Sequence, residues 1–137
     1  MTGQETVAGI MTRSPRTIDR NQTLDIADQL VAGSHIRHLP VMDGARVVGV
    51  LSQRDLFQAA LSRALGYGSV GRARLLGSIP VKEVMSEPVV TIEADTAIGE
   101  AARLMVSRKI GCLPVVERGA LVGLVTESDV VRHAYSV

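Results

Sequence analysis

Two short strings carry the side chains best suited to chemistry: Ser52-Gln53-Arg54-Asp55 and Thr126-Glu127-Ser128-Asp129. Each follows an apolar run that opens on glycine, Gly49-Val50-Leu51 and Gly123-Leu124-Val125. A strand that ends in a hydroxyl residue, with a carboxylate three positions on, is the signature of a helix start closed by a capping box. As an N-cap, the Ser or Thr contributes about 1 kcal/mol. The same corner suits a ligand, because a helix N-terminus presents unpaired N–H groups and positive dipole to a phosphate or sugar oxygen. The hydroxyl adds one hydrogen bond, and the Asp accepts two from adjacent sugar hydroxyls, each worth roughly 1.5–3 kcal/mol because the acceptor is charged. Capping and ligand binding are compatible. Two features favour a ligand role beyond the cap: glycine stands at the same earlier position in both strings, and Asp is kept where Glu serves a capping box better.

Other reactive side chains form no convincing set. Gly66-Tyr67-Gly68-Ser69-Val70-Gly71 matches a dinucleotide fingerprint, but it follows a helical segment and lacks the strand–turn–helix context that the fingerprint requires. It reads as a flexible connector. His35, His38 and His133 have no Cys or Asp partner at ligand spacing, so no metal site is expected. Cys112, beside Leu113 in an apolar strand, reads as a small buried hydrophobe with no base to activate it.

Composition narrows the classes further. Lys and Arg number 15 against 14 Asp and Glu, a net charge of +1, and the aromatic residues are two Tyr and one Phe. That balance supplies no general electrostatic drive toward nucleic acid or anionic membrane, and there is little on which bases could stack. One Cys excludes an internal disulfide framework. The start, Met1-Thr2-Gly3-Gln4-Glu5, has no basic or apolar leader character, and no stretch approaches 18 uninterrupted apolar residues. The expectation is a cytoplasmic protein with an aliphatic core and no membrane association.

The elements that position the two strings come from a repeat. Shifted by 74 residues, Val7–Leu56 falls on Val81–Val130 without a gap, and 13 of the 50 pairs are identical. They include Met11/Met85, Thr17/Thr91, Ile18/Ile92, Leu39/Leu113, Pro40/Pro114, Gly49/Gly123 and Asp55/Asp129. Each copy opens on a short apolar turn ending in Met and passes a Pro to a brief strand, Arg16-Thr17-Ile18 or Val90-Thr91-Ile92. A helix follows, with Leu24, Ala27 and Val31 on one face, matched by Ile98, Ala101, Ala102 and Met105. Thr23 or Asn21, and Asp95 or Thr96, are the candidate N-caps. Next comes a hairpin from Leu39-Pro40-Val41-Met42 through Asp43-Gly44 (Arg118-Gly119 in the second copy) to the apolar run Val47–Leu51, with a second helix after Ser52 or Thr126.

The expected fold class is therefore α/β (α+β): two β-α-β-β-α repeats, each of about 55 residues and too small to be comfortable alone, packed as a pseudo-two-fold pair. The expected division is 1–61, a linker over 62–80, and 81–137. The linker carries Arg63, Arg72 and Arg74 and no acidic residue, so the basic excess of the chain sits there.

The combination of Met-turn-Pro-Thr-Ile openings, Leu-Pro-Val strands and Gly-x-x-Ser/Thr-x-x-Asp ends resembles a tandem pair of cystathionine-β-synthase (CBS) domains, a Bateman module, over nearly the whole chain. The resemblance implies two clefts for adenosine-containing ligands, and modules that pair into a flat four-domain disc, hence a homodimer. It implies that each cleft takes Ser/Thr and Asp from one repeat and its base contacts from the other. The first cleft would use Ser52 and Asp55 for phosphate and ribose, with Thr91, Ile110, Gly111 and Cys112 along the base. The second would pair Thr126 and Asp129 with Thr17, Ile36, Arg37 and His38.

The repeats differ just before the Leu-Pro-Val strand: His35-Ile36-Arg37-His38 against Lys109-Ile110-Gly111-Cys112. Members that bind phosphorylated adenosine commonly carry basic residues there. The resemblance therefore marks the Asp55 cleft, with Arg37 and His38 nearby, as the AMP, ADP or ATP site. It leaves the Asp129 cleft to an uncharged adenosyl compound or to none. Alternatively, Arg37 and His38 serve only a helix C-terminus, worth about 0.3–1 kcal/mol.

The function expected is a non-catalytic sensor that needs no cofactor, binds an adenosyl ligand (AMP, ADP or ATP, with S-adenosylmethionine or an NAD-type ligand as alternatives) and signals to an effector protein or to its own dimer. A nucleic-acid regulator acting through the basic linker is a second class, limited to weak, salt-sensitive contact by its three arginines. A small hydrolase is a third, for which no acid/base pair or nucleophile set is found.

Overall fold

The computed structural model describes residues 5–67, 74 and 76–136. Its elements follow the expected order twice. The first copy contains β2 (Ile18–Asp19), α1 (Leu24–Ala32), β3 (His38–Asp43), β4 (Arg46–Ser52) and α2 (Gln53–Tyr67). The second contains β5 (Ile92–Glu93), α3 (Ile98–Arg108), β6 (Cys112–Glu117), β7 (Ala120–Thr126) and α4 (Glu127–Tyr135). A 3-10 turn opens each copy, at Val7–Gly9 and Val81–Glu83, and a two-residue strand β1 (Thr12–Arg13) follows the first. The fold is mixed α/β, with two small sheets.

Backbone contacts divide the chain into two compact units: Arg16–Val89, and a second that joins the residues up to Pro15 to those from Val90 on. The units are cut elsewhere than the repeats. In the first unit β3 pairs parallel with β2 and antiparallel with β4, giving the order β2-β3-β4. Pro40 sits in the central strand, but β2 reaches only Val41 and Met42, so the missing N–H of Pro40 breaks no ladder bond on that side. The outer edge of β4 is closed at one point by Ser86, whose N–H donates to the Val50 carbonyl at 2.8 Å and whose carbonyl accepts from the Val50 N–H at 3.3 Å. The second unit repeats this plan in the order β1-β7-β6-β5, with β1 on the edge that Ser86 occupies in the first.

The helices bury the stripe that their spacing predicts. Leu24, Ala27 and Val31 of α1 and Ile98, Ala101 and Met105 of α3 are buried, while Ala102 lies half-buried at the margin. Both first helices start at the same repeat position, Thr23 and Ala97, so neither Asp95 nor Thr96 is the cap of α3. Thr96 instead carries the chain into the helix, its carbonyl accepting from the Val7 N–H at 2.9 Å.

The stretch 62–80 departs from a linker in its described parts. Helix α2 continues to Tyr67, through Ala64 and Leu65, which favour helix. Leu76 and Ile79 are fully buried in the core of the first unit, beside Leu24, Leu56 and Val81. Most of the glycine-rich string Gly66–Gly71, and Arg72, lie outside the described residues; Arg74 is exposed.

Candidate functional site

Each string forms a strand-to-helix corner within one unit. In the first, β3 and β4 place His38 opposite Ser52, and the Gln53 N–H donates to the Arg37 carbonyl at 2.8 Å, so Arg37 and His38 lie beside the start of α2. The second corner is built alike: Cys112 opposes Thr126, and the Glu127 N–H donates to the Gly111 carbonyl at 3.1 Å.

Both corners are closed as reciprocal capping boxes. The Ser52 N–H donates to Asp55 Oδ2 at 3.1 Å, and the Asp55 N–H donates to Ser52 Oγ at 2.9 Å. In the second corner the Thr126 N–H and hydroxyl both donate to Asp129 Oδ2, at 2.8 and 3.1 Å, and the Asp129 N–H reaches Thr126 Oγ1 at 3.4 Å. Asp therefore serves the box in full, and its retention in place of Glu is no argument against a cap. The corners differ in what remains. Asp55 keeps Oδ1 without a partner among the described residues, whereas Asp129 Oδ1 accepts from Arg132 Nη2 at 3.2 Å. The first carboxylate can thus accept from a ligand hydroxyl while its cap stays intact.

The two glycines also have a packing reason that the repeat pattern hides. A Cβ on Gly49 would stand 2.7 Å from Met85 Sδ and 3.0 Å from the Ser86 carbonyl. On Gly123 it would run into Met11 Sδ and stand 3.1 Å from the Thr12 carbonyl. Met11/Met85 and Gly49/Gly123 are all visible as identities in the repeat, but their contacts join segments far apart in sequence. The glycines admit the methionines, and they are no sign of a ligand by themselves.

Of the remaining candidates, Arg37, Thr17 and Thr91 are exposed and Ile36, His38, Ile110 and Gly111 are half-buried. The strands begin at Ile18 and Ile92, one residue past Thr17 and Thr91, which leaves both threonines outside the ladders. Cys112 is buried, and burial, reinforced by the nearby Asp129 charge, pushes its thiol up to about 12. It is a neutral packing group at any ordinary pH, not a thiolate nucleophile. His133 pairs with Glu5 at 2.7 Å, and among the described residues no group of three or more His, Cys, Asp or Glu could hold a metal ion. No described helix is long and apolar enough to cross a membrane.

The model of the CBS domain matches residues 7–62 and 81–136. This chain belongs to the CBS domain family. A CBS domain-containing protein of Dictyostelium discoideum is 36% identical over 125 residues, covering 90% of this chain and 86% of that protein. The CBS domain-containing protein YhcV of Bacillus subtilis is 31% identical over 130 residues, 95% of this chain and 86% of YhcV. The crystal structure of CBSX2 in complex with AMP superposes with a TM-score of 0.76 at 29% identity, covering 96% of each chain. Other relatives are longer: the chain spans 39% and 31% of two proteins of Methanocaldococcus jannaschii that are each 30% identical to it. CBS domains are generally regulatory, non-catalytic modules.

Proposed function

We propose that this CBS protein is a non-catalytic sensor of an adenine nucleotide (AMP, ADP or ATP) whose phosphate and ribose are held at the Ser52–Asp55 corner. The observation that carries the reading is the grouping of Arg37 and His38 beside a helix start whose carboxylate still has an oxygen to offer. The Arg54 N–H, in the first turn of α2, has no partner among the described residues and adds a donor for an anion. A structural neighbour that carries AMP supports the ligand class. Thr91, Ile110, Gly111 and Cys112 enter as the base contacts that the family resemblance implies. Occupancy would act by population shift, favouring whichever arrangement of the chain or its partner binds the nucleotide better, by no more than that difference in affinity.

Calorimetry tests the reading. Asp55→Ala should weaken AMP binding by about 2–4 kcal/mol, because a charged acceptor is lost from the ribose, while the protein stays folded. Unchanged affinity with only a lower melting temperature would show that Asp55 is a cap and nothing more.

A further inference from the structure

The two corners share one backbone scaffold and differ in charge, residue for residue. Where the first has Arg37, His38, Gln53 and Arg54, the second has Gly111, Cys112, Glu127 and Ser128. We propose that Glu127 sets the ligand class of the Thr126–Asp129 corner, excluding phosphorylated adenosyl compounds and admitting uncharged ones. This rests on the reading of both corners as adenosyl-ligand sites.

The geometry points to Glu127 rather than to the mere loss of Arg37. The Glu127 N–H is tied to the Gly111 carbonyl at 3.1 Å, and its side chain folds back over Gly111: an atom at the β position of Gly111 would stand 2.5 Å from Oε1. That carboxylate covers the position whose counterpart, Arg37, starts a cationic side chain. Glu127 is exposed, so its charge faces solvent at the start of α4, and with Lys109, Ile110 and Gly111 it borders an open groove of about 450 Å³ whose other walls are α3 and α4. Two cations lie near. Arg132 is engaged by Asp129 Oδ1, and Lys109 is exposed where the first corner has His35. Arg132 is thus taken up by Asp129, which leaves Glu127 without an ion-pair partner among the described residues. A phosphate brought to that helix start meets the Glu127 carboxylate where the first corner has the neutral Gln53, and that like charge opposes the dipole that would otherwise attract it.

The test is titration of this chain with AMP and with adenosine, by calorimetry. Wild type should bind adenosine at two sites per chain and AMP at one. Glu127→Gln, which installs the first corner's own residue, should give a second AMP site tightened on the order of tenfold, with adenosine unchanged. Glu127→Ala should act in the same direction, which guards against a peculiarity of the glutamine variant. If both variants keep a single AMP site while adenosine still fills two, Glu127 is not the selector and the proposal fails. If wild type already binds two AMP with equal affinity, it fails as well. If wild type binds neither compound, the reading of the corners as nucleotide sites falls and takes this assignment with it.

Discussion

At the scale of single residues, the cap and the ligand site compete for the same atoms, and the structure divides them. Ser52 and Asp55 satisfy each other through one carboxylate oxygen, and the other is left over. Asp129 has both oxygens engaged, by Thr126 and by the exposed side chain of Arg132, so a ligand hydroxyl there must take the place of Arg132. Arg37 is the residue whose role the capping geometry does not explain. It is exposed, it follows α1 by several residues, and the helix ends at Gly33 without using it. Its guanidinium is therefore available for charge-assisted bonds to a phosphate, which a nucleoside cannot make. Arg37→Ala should weaken AMP by about 1.5–3 kcal/mol and leave adenosine within a few tenths. Side-by-side titration of the two ligands decides it. Equal losses would place Arg37 in the fold and away from the phosphate. The hydroxyl–carboxylate pairs and the basic residues before β3 were legible in the sequence because they are local. Whether each Asp had an oxygen to spare was not, since that depends on Arg132, one turn along, in only one of the two copies.

At the scale of elements, the repeat makes the strand and helix order readable, and the apolar spacing of Leu24, Ala27 and Val31 identifies the buried face of α1 from sequence alone. The long-range joints were not readable. The Ser86–Val50 bonds and the pairing of β1 with β7 each tie an expected strand to a segment, Ser86 or Thr12–Arg13, whose local sequence carries no strand signal, and Leu76 and Ile79 look like linker residues until the core that covers them is seen. The methionine–glycine contacts are the same kind of joint. Met85 lies against Gly49 in β4, and Ser86 closes the edge of that strand next to it, three residues before Ser52. Gly49→Ala forces a methyl group between Met85 and the Ser86 carbonyl, and overpacking of that kind costs about 1–3 kcal/mol. Chemical unfolding should show that loss. A paired variant, Gly49→Ala with Met85→Ala, should recover part of it by making room, whereas Met85→Ala alone leaves a cavity and costs about 2–5 kcal/mol. Additive losses in the double variant would mean that the two side chains do not meet.

At the scale of the whole molecule, the exposed apolar residues follow the repeat. Phe57 and Val131 occupy one equivalent position and Leu61 and Tyr135 the next, one helical turn on, and they are 58%, 53%, 53% and 75% exposed. Isolated apolar side chains on a surface need no explanation, but the same i, i+4 pair recurs on α2 and on α4 and leaves each helix an uncovered apolar strip. One testable use is self-association of the chain through these helices, the pairing that the family resemblance implies. Light scattering on the wild-type protein should then give a dimer. Phe57→Glu with Val131→Glu should give a monomer whose far-UV circular dichroism is unchanged, because exposed substitutions move stability by only about ±0.5 kcal/mol. A wild type that stays monomeric at every accessible concentration, or a double variant that still dimerises, would remove the helices from that role. The same measurement reaches the sensor reading. If nucleotide occupancy is transmitted to the dimer, AMP must change the dimer dissociation constant, and dimerisation must change AMP affinity by the same factor. A dimer indifferent to saturating AMP would direct the output to a separate protein partner instead.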